Sequence, residues 1–252
     1  MAVAAVGKCG GMEEISMKRI LMMVFRNLLY VPYGFIKLLW YAAHEDRYTE
    51  EQKFRLLREI NDRAVRTGNV HIDVKGLENI PDKDGFILYP NHQGMFDVLA
   101  ILKVCPKNFA VVTKKEVSNI LFLKQVFKLM GAISIDREDI KQSMQVILQV
   151  IKGVKEGKNY LIFAEGTRSK QGNIPGEFKG GSFKAATKPG CPIVPVALID
   201  SFKPFDTGTT KMTTVKVRFL PPMYQEEYKD MHTTEIAAEV KRRIEEEIKK
   251  EC

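Results

Sequence analysis

The sequence predicts an α/β fold: a mixed, largely parallel sheet flanked by helices, with an N-terminal membrane-associated two-helix element. Three observations predict it. From residue 50 onward, short runs rich in Val, Ile, Phe and Tyr alternate with segments of helical apolar spacing, as strands joined by covering helices do. A chain of 252 residues that is 45% apolar is long enough to bury one sizeable core and too apolar to stay disordered. Residues 17–43 differ from the rest, being strongly apolar with four basic residues and no acidic one.

Residues 1–12 (MAVAAVGKCGGM) are small and featureless and are expected to be disordered. In MKRILMMVFRNLLYVPYGFIKLLWYAA, residues Met17, Ile20, Leu21, Val24, Phe25, Leu28 and Leu29 follow helical spacing. Pro32 is expected to interrupt that helix, and a second one runs through Trp40. A transmembrane span needs about 20 predominantly apolar residues, and Arg26, Pro32 and Lys37 leave no such run. Arg26 also cuts the apolar region of any signal peptide, and no small-residue cleavage site follows. A pair of ordinary core helices is the bland alternative. An interfacial hairpin fits best, with Lys18, Arg19, Arg26 and Lys37 facing the membrane surface and Tyr30, Tyr33, Trp40 and Tyr41 at headgroup level. The expected division is therefore 1–45 for the start and docking element, and 46–252 for the α/β domain.

Beyond a polar linker at 44–51, residues 50–67 carry Phe54, Leu57, Ile60 and Ala64 on one helical face, with Gly68 as the stop. Strands follow at Val70–Val74, Phe86–Tyr89, Phe109–Val112, 132–135, Tyr160–Phe163, Ile193–Ile199 and Val215–Leu220. Helices are expected at Val98–Val104, over 116–130 and through Ile140, Met144, Ile147, Leu148 and Ile151. The last helix starts near Thr233, turns Val240, Ile244 and Ile248 inward, and pairs Glu245 with Lys249 and Glu246 with Lys250 in solvent.

The composition also excludes functions. Cys9, Cys105, Cys191 and Cys252 stand far apart, which speaks for a reducing compartment and against a disulfide framework. The four histidines cluster with neither cysteine nor one another, and no acidic cluster resembles a divalent-cation site, so no metal is expected. GxSxG, GxGxxG and GxxxxGK[ST] are all absent, which counts against serine-hydrolase, dinucleotide and P-loop chemistry. A net charge of +8 points to an anionic partner. No nucleic-acid module signature accompanies it.

The chemistry concentrates where buried strands end. FILYPNHQGMFDVLAIL places His92 and Asp97 just beyond a strand, the region where open α/β sheets bind ligands. If Gly94 turns the loop and Asp97 lies at a helix N-terminus, the carboxylate can take the ring N–H of His92 and leave its other nitrogen as a base. By spacing alone, Asp97 could equally be a helix cap and His92 a loop residue. YLIFAEGTRSKQG delivers Glu165, Gly166, Thr167 and Arg168: a fork of donors suited to phosphate, with Glu165 placed to hold the guanidinium. FKGGSFKAA sets Lys179 and two glycines before a helix, and GAISIDRE ends a strand at Asp136 and Arg137. Any one of these cations could be an ordinary surface charge. Together at separate strand ends they suggest one phosphate site beside one histidine base.

These segments resemble the glycerolipid acyltransferase family, most closely its bacterial 1-acyl-sn-glycerol-3-phosphate acyltransferases. NHQGMFD resembles the Asn-His-x4-Asp block, and GAISIDR, FAEGTRS and CPIVPVAL follow as the second to fourth blocks in the family's order. TKKE (113–116) resembles the basic stretch between the first two, and FKGGSF the phosphate-contacting stretch after the third. The likeness covers about residues 70–200. Gly94 stands where serine is common, and Ala164 where proline is. The resemblance implies that His92 and Asp97 are catalytic, and that Arg137, Glu165, Gly166, Thr167, Arg168 and Lys179 bind the glycerol phosphate. It further implies acylation of the sn-2 hydroxyl of lysophosphatidic acid to phosphatidic acid in phospholipid synthesis. The co-substrate would be an acyl-carrier-protein or coenzyme A thioester, with no cofactor. A monotopic enzyme on the cytoplasmic face of the cell membrane, meeting anionic lipid and no nucleic acid, is the expected setting. Glycerol 3-phosphate or another lysophospholipid is the alternative acceptor, and an anionic-lipid-binding module the non-enzymatic one.

Overall fold

The computed structural model describes residues 16–115, 121–136 and 139–251. The start at 1–12, the first residues of the helix expected over 116–130, and Arg137 lie outside them. The chain runs α1 (Met17–Arg26), α2 (Tyr30–Ala43), α3 (Glu50–Thr67), β1 (Val70–Lys75), β2 (Ile87–Pro90), α4 (Asp97–Val104), β3 (Ala110–Lys114), α5 (Leu121–Leu129) and β4 (Ile133–Ile135). It continues with α6 (Ile140–Lys155), β5 (Tyr160–Leu161), α7 (Gly180–Thr187), β6 (Ile193–Ile199), α8 (Lys203–Asp206), β7 (Thr213–Phe219), α9 (Gln225–Tyr228) and α10 (Thr233–Glu251).

Seven strands form one sheet in the order β1-β7-β6-β2-β5-β3-β4. The five strands from β6 to β4 are parallel, β1 and β7 are parallel to each other, and the two groups meet in the antiparallel β6–β7 pair. The predicted mixed, largely parallel sheet is what forms. Parallel strands need helical crossovers that cover both faces, so their residues are apolar on both sides. In β6 all seven residues are buried. Val194, Val196 and Leu198 enter the core under α1–α5, while Ile193, Ala197 and Ile199 enter the core under α6, α7 and α10. One consequence matters for chemistry: β2, β3, β4, β5 and β6 all deliver their carboxyl ends to the same edge.

At the N-terminus α1 and α2 meet at 96°. The break falls at 27–29, ahead of Pro32, which sits in the first turn of α2. A first-turn proline forfeits no helical hydrogen bond, so Pro32 does not interrupt the helix as expected. Asn27 makes the corner, its side-chain amide donating to the Met23 carbonyl (2.8 Å) and the Thr67 hydroxyl (2.7 Å). Among the described residues no single helix is long and apolar enough to cross a membrane.

The basic residues of this element do not all face outward as expected: Lys18 and Arg26 are exposed, Lys37 is half-buried and Arg19 is enclosed. Arg19 is fully buried and donates to the carbonyls of Gly68, Asn69, Thr209 and Lys211 and to the Thr213 hydroxyl. Arg26 donates to the Thr67 carbonyl and Asn69 Oδ1, and Lys37 pairs with Glu59 at 3.3 Å. The two guanidiniums tie the element to the end of α3 and to the loop before β7, whose carbonyls need donors, and the Lys37 ammonium ties it to a carboxylate on α3. Most of what faces outward is apolar: Leu21, Phe25, Leu28, Leu29, Tyr33, Ile36 and Trp40 are exposed, Leu29 to 95%, beside the exposed Lys18 and Arg26.

Two helices depart from the predicted detail. In α6 the buried face is Val146, Val150 and Val154, whereas Met144 and Leu148 are exposed, because this helix packs on α7 and β4 along a different stripe. In α10 Val240, Ile244 and Ile248 are buried as expected. Its ion pairs include Glu239–Arg242, Glu239–Arg243, Lys241–Glu245, Arg242–Glu246 and Glu247–Lys250 in place of the expected two.

Candidate active site

Strand β2 ends in a buried Pro90, and its next residues pass to α4 through a loop with almost no freedom. Asn91 is 1% exposed; its amide donates to the Leu198 carbonyl at 3.0 Å and accepts the Leu198 N–H at 2.7 Å, stitching β2 to β6. Gln93 does the same one step on, donating to the Leu198 carbonyl and to Asn173 Oδ1 (both 2.9 Å) and accepting the Ser201 N–H (2.7 Å). Asn173 is held in turn by Asp200, whose N–H and carboxylate both engage its amide. Buried amides satisfied on every side specify one geometry. That leaves the side chain between them, His92, pointing to the open side of the sheet edge.

Asp97 opens α4 and is fully buried. Its Oδ2 accepts the backbone N–H groups of Gln93 (2.7 Å) and Gly94 (3.1 Å) and lies 2.7 Å from His92 Nδ1. A carboxylate only accepts, so Nδ1 carries the ring proton and Nε2 is left with its lone pair. The ring is stacked on Phe163 at 4.0 Å with 24° between planes. Gly94 serves differently from expectation. It is not in the left-handed region; a Cβ there would lie 3.2 Å from the Phe202 Cα and 3.3 Å from Asp206 Oδ2. Glycine therefore admits the α8 turn against the loop, where a serine would require that turn to give way.

The second wall follows β5. Glu165 is buried at 3% exposure. Its Oε1 accepts the His92 backbone N–H at 2.7 Å and its Oε2 the Gly176 N–H at 2.8 Å. The expectation that it would hold Arg168 is corrected by these bonds: both oxygens are committed to backbone donors, which a buried carboxylate requires. Burial is the largest influence on its acidity and pushes the carboxyl above the ordinary glutamate range, against the two N–H bonds. Gly166 turns at φ +72°, and a Cβ there would lie 3.3 Å from Lys179 Nζ. Thr167 is exposed, and Arg168 is half-buried. The Ser169 N–H donates to the His92 carbonyl at 2.9 Å, returning the loop to His92. Lys179 is exposed at the N-terminus of α7, its own N–H bonded to the Ala164 carbonyl.

The predicted residues thus divide. His92, Asp97 and Glu165 form one hydrogen-bonded unit, and Gly166 and Lys179 adjoin each other on its flank. Arg137 lies outside the described residues. Sequence reasoning missed Phe163, Asn91, Gln93, Asn173 and Asp200. Their only signal was position, as polar or aromatic residues beside strand ends. Cys105 and Cys191 are buried, with thiols pushed up to about 11 and about 12 by burial. Neither is a thiolate nucleophile near neutral pH.

The chain is similar to known proteins. The acyltransferase family model matches residues 71–199. The chain is 35% identical over 132 residues to a 1-acyl-sn-glycerol-3-phosphate acyltransferase of Borreliella burgdorferi, covering 52% of each protein. It is 31% identical over 156 residues to a chloroplastic one of Brassica napus, covering 60% of this chain and 45% of the relative. The match thus spans about half the length of these curated relatives. The crystal structure of the 1-acyl-sn-glycerophosphate (LPA) acyltransferase PlsC from Thermotoga maritima superposes with a TM-score of 0.72 at 21% identity, over 91% of this chain and 96% of that one, and so shares its fold. Since the family match takes in more than half of this chain, from β1 through the His92–Asp97 loop and the Glu165 loop to the end of β6, the chain belongs to the acyltransferase family.

Proposed function

We propose that the protein transfers an acyl group from a thioester to the sn-2 hydroxyl of lysophosphatidic acid, giving phosphatidic acid and a free thiol. The observation that carries this reading is the 2.7 Å contact between His92 Nδ1 and Asp97 Oδ2, in a chain whose relatives bear the name of that activity. Asp97 fixes the ring tautomer, so His92 Nε2 can take the hydroxyl proton as the oxygen attacks the thioester carbonyl. General-base assistance of this kind supplies roughly 10²–10⁴ in rate, and positioning of the acceptor supplies more. The acceptor oxygen is itself the nucleophile, so no acyl-enzyme is required.

Arg168, Lys179 and Arg137 are the candidate phosphate ligands, with Gly166 and Thr167 bringing backbone close to the same place. Among the described residues Arg168 and Lys179 make no ion pair, which leaves both free for a dianion. The exposed apolar elbow of α1 and α2 fits insertion into the membrane, on its cytoplasmic face, beside a catalytic domain of residues 46–252. Its apolar exterior favours insertion among lipid chains over adsorption to charged headgroups. The thioester is carried by acyl-carrier protein or coenzyme A.

The test is an assay of the purified protein with lysophosphatidic acid and each thioester donor, following thiol release. Acceptor-dependent thiol release is expected. Preference for glycerol 3-phosphate or another lysolipid would replace the acceptor, and liposome binding with no thiol release would replace the enzyme by a lipid-binding module.

A further inference from the structure

We propose that Glu165 is a positioning residue, whose carboxylate sets the place of the His92 backbone relative to the phosphate-side loop and does not touch the acceptor lipid. The inference rests on the acyl-transfer reading above and departs from it at one residue, which the family resemblance assigns to the glycerol phosphate. Four features of the structure carry it.

Both carboxylate oxygens are already used. One accepts the His92 N–H and the other the Gly176 N–H, at 2.7 and 2.8 Å, and the residue is 3% exposed. Space on the far side is closed as well, since a Cβ added to Gly176 would stand 2.6 Å from Oε2. A buried anion beside a phosphate would oppose its binding, whereas Lys179 on the flank of Gly166 would favour it. Finally, the Glu165 bond is one of three stitches between the loops. The Ser169 N–H on the His92 carbonyl and the Gln93 amide on Asn173 Oδ1 are the others. Glu165 alone joins the His92 N–H to the returning limb at Gly176. The distance from the base to the phosphate-side cations is therefore set through this carboxylate.

A structural strut and a substrate ligand differ in what their loss does to kinetics. In Glu165→Gln the amide can still accept one N–H but faces the other with a donor. A positioning role predicts kcat reduced at least tenfold, with KM for lysophosphatidic acid changed less than about twofold. Gly176→Ala keeps the carboxylate and displaces it; the backbone there is not in the left-handed region, so its conformation suits alanine and the side-chain oxygen is what must shift. It should likewise lower kcat and spare KM.

A third measurement needs no substrate. In ¹⁵N-labelled wild-type protein, the backbone amides of His92 and Gly176 should titrate together as Glu165 ionises. That step lies above the ordinary glutamate range, about 4.3, because burial favours the neutral acid. His92 and Asp97 are the titratable groups whose charges Glu165 feels. The shared titration should vanish in Glu165→Gln. A KM raised tenfold with kcat kept in that variant, or amides of His92 and Gly176 that do not titrate together, would overturn the proposal. Should the wild type fail to acylate lysophosphatidic acid, the activity falls while the amide titration still decides the contact, and the kinetic split is read on the acceptor the enzyme does use.

Discussion

His92 Nδ1 and Asp97 Oδ2 stand 2.7 Å apart, although five positions separate the residues in the chain. On a continuous helix that spacing would part them. They meet because α4 begins at Asp97, so His92 lies on the loop folded back over the helix start. The same oxygen takes the N–H groups of Gln93 and Gly94, so one carboxylate both caps the loop and orients the His92 ring.

Asp97→Asn should therefore lower kcat by about 10² or more, because an amide does not hold the ring tautomer as a carboxylate does. It should also cost about 1–2 kcal/mol of stability, from the loop N–H groups left without their charged acceptor. His92→Ala should abolish transfer with little change in stability, since the ring is partly exposed. Steady-state thiol release and urea unfolding on both variants check this, and substantial activity in His92→Ala would remove histidine from the role of base.

Arg168→Ala and Lys179→Ala should each raise KM for lysophosphatidic acid about tenfold or more, the worth of a charge-assisted contact, and leave kcat less affected. Initial-rate kinetics against acceptor concentration separate the two parameters. An unchanged KM in either variant would make that cation an ordinary surface charge.

Leu29→Ala and Phe25→Ala should each weaken binding to phosphatidylcholine vesicles by about tenfold, from the apolar surface that no longer enters the bilayer. Because Arg19, Arg26 and Lys37 are engaged with the protein's own acceptors, leaving Lys18 in solvent, raising the salt should change that binding little. Vesicle sedimentation at two ionic strengths checks both statements, and loss of binding in high salt would restore an electrostatic attachment.

Acid should loosen the C-terminal helix. Arg218 lies buried between Asp73 and Glu251, at 2.6 and 2.8 Å. Hydrogen bonds from this guanidinium are the largest cause holding both carboxyls below their ordinary values. A depressed folded-state pKa stabilises above the unfolded value, about 4 for these groups, and that stabilisation is lost as pH falls through the folded values. Thermal melts should therefore show stability dropping below about pH 4, with a shallower slope in Glu251→Gln. An identical slope in that variant would assign the acid sensitivity to other carboxylates.

Much of this was legible in residue order. Alternating apolar runs announced the strands, and continuous apolar character in Ile193–Ile199 marked a strand covered on both faces. The blocks of candidate site residues were legible too, since polar residues at the ends of buried strands stand out from the apolar runs before them. The charges of the N-terminal element misled. Four basic residues with no acid among them looked like a surface for anionic lipid, yet Arg19 is spent on backbone carbonyls more than 40 residues away in the chain. Composition reports how many charges a segment carries and is silent about what they reach. Glu165 misled in the same way: beside Arg168 in sequence, it turns to His92 and Gly176.

The sequence by itself determined the fold class, the strand and helix order and the blocks that hold the candidate site residues, because periodicity and strand-end polarity are local properties. Only the tertiary structure decided which partners those residues take. The parallel order β6-β2-β5-β3 brings four strand ends together, and a buried donor or carboxylate must be satisfied by whatever group the packing sets beside it. That requirement is non-local. It set Asp97 against the His92 ring and Glu165 against its backbone N–H, and drew Arg19 into the protein while apolar residues of the N-terminal elbow were left outside.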